Sequence, residues 1–147
     1  MSEQTKNTNE ADIAAVTDVV RAYYDGSMTG DEAKLASAFH PRACIVGTWE
    51  GKLEWQTREE YIAECVEGAS EAGEYDLRIG GMSFEGDTAL VKDEAQFGGT
   101  YFSDDLSLVK DDGTWRIVHK TYYAHPAGPT ATRPPRRRPR LERSTAR

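Results

Sequence analysis

The chain has 147 residues and a net charge of −7, with 38% apolar and 29% charged residues. This is the size and composition of one globular domain. No apolar stretch approaches the roughly 20 residues that a membrane helix needs, and the polar N-terminus lacks the apolar centre of a signal peptide. We therefore expect a soluble, cytoplasmic protein with no membrane partner.

The charge is divided between two regions of the chain. Residues 131–147 contain seven Arg and one Glu, so this segment carries +6 and the remainder carries −13. The acidic remainder disfavours nucleic-acid binding by the folded domain. Composition predicts a disordered N-terminus over 1–9, one domain over 10–126 and a disordered Pro/Arg-rich tail over 127–147. The tail is either a solvated segment without a partner or a weak electrostatic contact with nucleic acid, membrane or the acidic domain.

Three helices are expected in the first half of the domain. Apolar residues at helical spacing predict the first over Glu10–Met28. Asp31 opens a shorter second helix, which His40-Pro41 ends because the residue before proline is disfavoured in helical geometry. Thr57 to Glu60 forms a capping box that starts the third helix, which continues to about Gly68.

Strands dominate the rest of the domain. Alternating patterns and turn residues predict six strands, over Ala43–Trp49, Leu53–Gln56, Tyr75–Phe84, Thr88–Phe97, Thr100–Val109 and Thr114–Ala124. The last four follow one another through short turns, which predicts an antiparallel meander. Gly80-Gly81 within the third strand indicates a bulge or sharp bend. The fold class is therefore α+β.

This arrangement resembles the nuclear-transport-factor-2-like superfamily, nearest its lumazine-binding-like branch, over roughly residues 10 to 125. The similar segments are Tyr23-Tyr24-Asp25-Gly26, Phe39-His40-Pro41, Phe102 to Leu108 and Gly113 to Lys120. The resemblance implies a cone-shaped curved antiparallel sheet packed against three N-terminal helices, around a cavity for a small organic molecule. Relatives include steroid isomerases, polyketide cyclases, dehydratases, epoxide hydrolases and non-enzymatic binding domains, so fold alone does not assign an activity.

The resemblance to steroid isomerases also suggests roles for individual residues. Tyr23 matches the position from which those enzymes present a tyrosine to the substrate oxygen, and Asp104 matches their later-strand acid. Their general base falls at Gly47, which cannot move a proton. The resemblance therefore does not imply that particular isomerase chemistry.

Two aspartates are predicted to face each other on the buried side of the sheet. A two-residue Gly98-Gly99 turn fixes the register of its hairpin, which places Asp93 opposite Asp104 on the mostly apolar face. Two carboxyl groups this close in a poorly hydrated cavity cannot both ionise easily, so one pKa should rise. Such a pair either performs acid–base chemistry or lies at the wet rim and only repels.

The last hairpin leaves two registers open. A three-residue loop over Asp111 to Gly113 places Val118 opposite Leu106 and Lys120 opposite Asp104, with Tyr122 on the same concave face. A two-residue loop instead turns His119, Thr121 and Tyr123 inward. We prefer the first register, because Lys-Asp-Asp-Gly suits a type I turn followed by a bulge. It would leave Trp115, Ile117 and Tyr123 on a convex apolar face that forms a homodimer.

Three functions are compatible with these patterns: binding of a small, flat aromatic or polycyclic molecule, acid–base catalysis of isomerase, dehydratase or cyclase type, and a non-catalytic dimeric interaction module. The candidate catalytic residues are Asp93, Asp104, Tyr23 and Lys120. The candidate ligand-binding residues are Trp49, Trp55, Phe102, Leu106, Val118 and Tyr122. No cofactor or metal is expected, because Cys44 and Cys65 lie near no second Cys or paired His at ligand spacing, and no phosphate-binding loop is present.

Overall fold

The computed structural model describes the backbone of residues 2–126 and the side chains of residues 10–126. Three helices and a single 3₁₀ turn are present, namely α1 (Ser2–Thr29), α2 (Glu32–Ala38), α3 (Arg58–Gly68) and the turn Ala69–Glu71. Six strands are present, namely β1 (Phe39–Trp49), β2 (Lys52–Thr57), β3 (Leu77–Glu85), β4 (Thr88–Phe97), β5 (Thr100–Asp111) and β6 (Thr114–Ala124). The predicted order of elements is confirmed. The predicted disorder of residues 127–147 lies outside the described residues.

Local side-chain chemistry explains where two of the helices begin. Asp31 caps α2 by accepting from the backbone of Lys34 at 3.1 Å. Thr57 and Glu60 form both halves of the predicted capping box at the start of α3. The bounds of α1 differ from the prediction, because this helix begins at Ser2 and extends into the segment for which the sequence predicts disorder.

The six strands form one curved, open sheet in the order β2-β1-β6-β5-β4-β3. The last four form the predicted antiparallel meander, and β1 pairs with β6 in parallel, which the sequence did not predict. The predicted irregularity in β3 is present as a register shift between Ile79 and Gly81. The three helices pack on the concave face and enclose the apolar core, so the α+β cone-like fold is confirmed.

The hairpin of β4 and β5 has the predicted register along its whole length. Gly98 and Gly99 both have positive φ values, 64° and 86°, as a primed two-residue turn requires. Phe97 pairs with Thr100, and Asp93 pairs with Asp104. The two aspartates therefore share the concave face, and both are buried.

The hairpin of β5 and β6 differs from the preferred prediction. Its loop has two residues, since Asp111 pairs with Thr114, and a bulge opposite Ser107 and Leu108 leaves Val118 without a pairing partner. At the bulge, the alternation of β6 side chains between the two faces of the sheet is shifted by one residue. Lys120 lies opposite Leu106 and Tyr122 opposite Asp104, so the predicted pairs of Val118 with Leu106 and of Lys120 with Asp104 are wrong. Val118 is only half-buried and lies outside the cavity.

The bulge also overturns the predicted dimer surface. Trp115 and Ile117 are buried in the core, and only Tyr123 of the three is exposed. The indole N–H of Trp115 donates to Asp12 Oδ1 at 3.1 Å, which fixes the end of the hairpin to α1. No helix within residues 2–126 has the length and apolarity needed to cross a bilayer.

Candidate functional site

A cavity lies between α1, α3 and the concave face of the sheet. The cavity has a volume of about 40 Å³, well below the roughly 300–1,000 Å³ of typical small-molecule sites, so a ring-sized ligand requires its walls to move apart. Its polar lining consists mainly of Tyr23, Ser27, Tyr61, Glu64, Asp104 and Lys120. Its apolar lining includes Ala95, Phe97 and Phe102. The sequence predicted four of these nine residues, because the contributions of α3 could not be placed before the packing of the helix was known.

Tyr23 and Asp104 form a buried hydrogen bond at the wall of this cavity. The Tyr23 hydroxyl donates to Asp104 Oδ2 at 3.0 Å, and both side chains are about 2% exposed. Burial and the negative charge of Asp104 raise the pKa of Tyr23 well above its ordinary value. Tyr23 is therefore a neutral hydrogen-bond donor that α1 holds against β5, and its proton is donated to Asp104.

Asp93 lies behind Asp104 and does not line the cavity itself. Burial, then the negative charge of Asp104 and a hydrogen bond shared with it, raise the pKa of Asp93 to about 9. Near neutral pH Asp93 is therefore protonated. A protonated Asp93 can donate toward the Asp104 carboxyl group, whose Oδ1 accepts from no described donor group. The predicted rise of one carboxyl pKa is present in this pair, because burial and the second carboxyl group disfavour a second negative charge.

Lys120 lies within a group of tyrosine rings. Its Nζ is 4.6 Å from the ring centroid of Tyr61, 4.8 Å from that of Tyr23 and 5.4 Å from that of Tyr122. Aromatic faces at this distance attract a cation. The ammonium group also donates to the Tyr61 hydroxyl at 3.1 Å. The sequence placed Lys120 correctly on the concave face, although through the wrong register.

A hydrogen-bonded chain continues from Lys120 through α3 to α1. The Ser27 hydroxyl donates to the backbone carbonyl of Tyr23 at 2.9 Å, so the Tyr61 hydroxyl is the donor in its 2.9 Å contact with Ser27. Burial raises the pKa of Tyr61 well above its ordinary value. Tyr61 therefore accepts from Lys120 and donates to Ser27, which holds the ammonium group in a fixed position.

Strand β2 contributes polar residues that the sequence analysis missed. Glu54 and Gln56 are buried, whereas Leu53 and Trp55 are 64% and 66% exposed. The Tyr122 hydroxyl donates to Glu54, and Gln56 Nε2 donates to Glu64 Oε1 at 3.0 Å. Trp55, a predicted ligand-binding residue, therefore lies on the outer face of the sheet. The alternating pattern of β2 was misleading, because its apolar residues face outward and its polar residues face inward.

Gly47 is the position at which the resemblance places the general base of the steroid isomerases. The space beside it is occupied by Tyr122. A Cβ atom built on Gly47 would lie 2.4 Å from the backbone oxygen of Tyr122 and 2.5 Å from its ring. Gly47 is therefore required by the close packing of Tyr122. Its partner across β1 and β2 is Glu54, so a buried carboxyl group lies on the strand beside this position.

Aromatic side chains form the rest of the inner surface. Phe102 lines the cavity, stacks on Trp49 at 6.2 Å between ring centroids and meets the ring of Tyr122 edge-on at 5.8 Å. Trp49 and Leu106 are buried but do not line the cavity, and they support it from behind. Of the ten predicted site residues, the structure places five in the cavity lining: Tyr23, Phe102, Asp104, Lys120 and Tyr122.

The described residues offer no other reactive or metal-binding group at this site. Burial raises the pKa of the Cys65 thiol, which lines the cavity, to about 11, so it is protonated near neutral pH. No cluster of three or more His, Cys, Asp or Glu side chains within residues 10–126 is arranged to hold a metal ion. The chemistry of the site therefore rests on its tyrosines, carboxyl groups and lysine.

The fold and cavity are those of a nuclear-transport-factor-2-like protein. Similar crystal structures include an NTF2-like protein of unknown function from Silicibacter pomeroyi DSS-3, with 33% identity over 80% of this chain and 98% of that chain and a TM-score of 0.76. One from Methylobacillus flagellatus KT has 29% identity over 79% of this chain and 94% of that chain, with a TM-score of 0.70.

The sequence also matches a family model, described as "Putative lumazine-binding", over residues 11–123. The chain belongs to this family, as its sequence resemblance implied. No curated protein matches the sequence. The family and the fold suggest small-molecule binding and leave the ligand to be inferred from the site.

Proposed function

We propose that the cavity binds a flat heteroaromatic molecule by its polar edge. The observation that carries this proposal is the buried hydrogen bond from Tyr23 to Asp104 in the same cavity as the Lys120 ammonium group. The walls formed by Phe97 and Phe102 supply apolar area for a planar ring system. Lumazine, the molecule in the description of the family, is a planar bicycle with carbonyl and N–H groups along its edge.

The polar residues supply both kinds of hydrogen-bonding group that such an edge requires. Lys120 is a donor beside the cavity, and the carboxyl group of Asp104 in the same lining is an acceptor. A lactam edge places a carbonyl oxygen next to an N–H group, so it can accept from Lys120 and donate to Asp104. A purely hydrocarbon ligand would leave these buried groups unsatisfied, at a cost of about 1–3 kcal/mol for each group.

Isothermal titration calorimetry with lumazine tests the binding function. We expect binding to the wild type and a loss of about tenfold or more in Phe102→Ala, because the ring that contacts the ligand is removed. Tyr101→Ala is the matched control, since Tyr101 precedes Phe102 on β5 and is exposed on the outer face. Thermal denaturation checks that both variants fold. Absence of binding to lumazine and to a panel of other planar heterocycles would contradict the proposal.

Acid–base catalysis is the second candidate, and the raised pKa of Asp93 favours it. Asp104 would exchange a proton with an enolisable ligand while Asp93, with a pKa of about 9, adjusts the proton affinity of the pair from behind. Isomerisation, dehydration and cyclisation all pass through such a proton transfer. Asp93 and Asp104 act as one unit in this hypothesis, so their titrations are coupled.

Solvent deuterium incorporation at the α-carbons of 2-tetralone, followed by NMR, tests the catalytic hypothesis without knowledge of the natural product. We expect the wild type to accelerate exchange and Asp104→Asn to abolish the acceleration with the fold intact. Asp105→Asn, on the outer face of the same strand, should behave like the wild type. Full exchange activity in Asp104→Asn would overturn the catalytic hypothesis. That result would leave the proposed binding function standing.

We also propose a homodimer formed through the outer face of the sheet. The supporting observation is a group of exposed apolar residues on neighbouring strands, Leu53, Trp55 and Tyr123, which lie beside Val46 and Thr48 of β1. Light scattering should give twice the mass of the chain, and Trp55→Glu should give the monomer. A wild-type monomer would refute this proposal. A cytoplasmic location and the absence of nucleic-acid or membrane partners stay predictions from composition.

A further inference from the structure

Lys120 is a buried cation without a close counter-ion among the described residues. Lys120 is only 6% exposed, and its side chain lines the cavity. Within residues 10–126, no carboxylate oxygen lies within 4.0 Å of its Nζ, and the one hydrogen-bond acceptor of Nζ is the Tyr61 hydroxyl. Three N–H groups are available, so two of them have no described acceptor.

The surrounding groups compensate this charge only in part. The rings of Tyr23, Tyr61 and Tyr122 attract the ammonium group, but they carry no net charge. Burial of a cation without an anionic partner is costly, and the cost falls when a bound anion supplies the missing charge. An ammonium group that faces a cavity and contacts no carboxylate directly is therefore suited to an anionic ligand.

Asp104 is a candidate counter-ion in the same cavity lining, and it already accepts a hydrogen bond from Tyr23. Tyr23 lies between the two groups, with its hydroxyl bonded to Asp104 at 3.0 Å and its ring 4.8 Å from Lys120 Nζ. Asp93 shares a hydrogen bond with Asp104, and the charge of Lys120 acts on Asp93 without a direct contact. Glu64, the other carboxyl group of the lining, accepts from Gln56 at 3.0 Å. The negative charges of the lining are thus held by donors other than Lys120.

We propose that Lys120 selects ligands that place a negatively charged oxygen in the cavity, as a planar aromatic carboxylate or an enolate does. This inference rests on the proposed binding function and narrows its ligand class to organic anions. Lys120 would hold the charged oxygen, and Phe102 would contact the planar ring. Lys120 is then the residue that sets specificity, and Tyr23 and Asp104 orient the remaining edge.

Matched pairs of acids and amides test this selectivity. We suggest 2-naphthoate with 2-naphthamide and quinoline-2-carboxylate with its amide, measured by calorimetry near pH 7. Each pair has nearly the same shape and differs by one charge. The wild type should bind each carboxylate about tenfold or more tightly than its amide, because a hydrogen bond to a charged group contributes about 1.5–3 kcal/mol. Lys120→Met should lose this preference, because the positive charge that distinguishes the acid from the amide is removed.

The controls separate failure of the selectivity from failure of binding itself. Lys92→Met removes an exposed lysine on the outer face and should leave the preference unchanged. Equal affinity for acids and amides in the wild type would overturn the inference and leave the binding function standing. Failure of all four compounds to bind would overturn the inference, and it would contradict the binding function only if lumazine also failed to bind. If Lys120→Met does not fold, the acid-to-amide ratio of the wild type still decides the question.

Discussion

The two faces of β4 and β5 place residues of the same type in opposite electrostatic environments. On the outer face, Lys92 and Asp105 form an ion pair at 2.8 Å, with side chains 77% and 57% exposed. On the inner face, one residue along each strand, Asp93 and Asp104 face each other at about 3% and 2% exposure. Solvation, which alternates between the faces with a period of two residues, therefore decides whether a charged group here is screened by water or buried with a shifted pKa.

The energetic consequences of the two environments differ in the same way. An exposed ion pair contributes about 0–1 kcal/mol, because water and salt screen it. A buried carboxyl pair is not screened, and it is relieved by keeping a proton, as the pKa of about 9 for Asp93 indicates. The four experiments below compare an inner residue with an outer one, or measure the outer pair itself.

The largest expected effect follows from Asp93→Asn. Asp93 has a pKa of about 9 in the fold and an ordinary value of 3.8, so between these values the folded state holds more protons than the unfolded state. Stability of the wild type should therefore fall relative to the variant as pH rises, by up to about 1.4 kcal/mol per pH unit. Denaturant unfolding should show that the stability of Asp93→Asn, relative to the wild type, rises by up to about 4 kcal/mol between about pH 5 and pH 8.

Asp105→Asn is the outer-face control for this titration. Its stability difference from the wild type should stay nearly constant over the same pH range. Parallel pH profiles for Asp93→Asn and the wild type would mean that Asp93 is ionised in the fold, which would contradict the interpretation of the inner pair.

Gly47→Ala should destabilise the fold by about 3 kcal/mol, the upper part of the usual range for overpacking. The added Cβ atom would lie 2.4 Å from the backbone oxygen of Tyr122, which cannot move without disturbing β6. Gly81→Ala on β3 is the control, because its Cβ atom would meet nothing within 4 Å. Chemical denaturation should place that variant within about 0.5 kcal/mol of the wild type. Similar losses in both variants would show that packing against Tyr122 is not the cause.

Tyr23→Phe should reduce stability by about 2 kcal/mol, since it removes a hydrogen bond to a buried charged group. The control on the outer face is Tyr101→Phe, whose hydroxyl donates to Asp76 in an exposed position. We expect that loss to stay below about 0.5 kcal/mol, because water replaces the lost partner. Thermal and denaturant unfolding measure both values. An equal loss in the two variants would argue that the Tyr23 hydroxyl is hydrated.

The smallest expected effect concerns the outer pair itself. A double-mutant cycle on Lys92→Met and Asp105→Asn should give a coupling energy of about 0.2–1 kcal/mol. The coupling should decline at about 1 M salt, where the screening length is about 3 Å. A larger coupling that resists salt would show that the outer face is drier than its exposure indicates, and the contrast between the faces would weaken.

The sequence determined the register of β4 and β5 because the constraint is local. Two glycines in adjacent turn positions admit the positive φ values of a primed turn, and the turn length sets every pair that follows. From this one feature the pairing of Asp93 with Asp104 could be predicted. The same holds for the capping box at Thr57, where one residue type at a fixed spacing satisfies the helix end.

The last hairpin could not be predicted, because its determinants are distant. The loop sequence allows both lengths, and the bulge at Val118 places the side chains on both sides of it in the interior. Trp115 gains a partner in Asp12, more than a hundred residues earlier in the chain. On β2, Glu54 is buried because the Tyr122 hydroxyl reaches it. Neither contact leaves a signal in the local sequence pattern, so Trp55 was placed inside and Glu54 was overlooked.

The packing of Tyr122 against Gly47 limits how this protein can change over evolutionary time. A single substitution that restored a carboxyl group at Gly47 would collide with Tyr122 before it could act on a ligand. Tyr122 would have to be replaced by a smaller residue first, and that step would remove the partner of Glu54 and one ring beside Lys120. The path from this cavity to an isomerase-like site therefore passes through an intermediate that has lost both of these contacts.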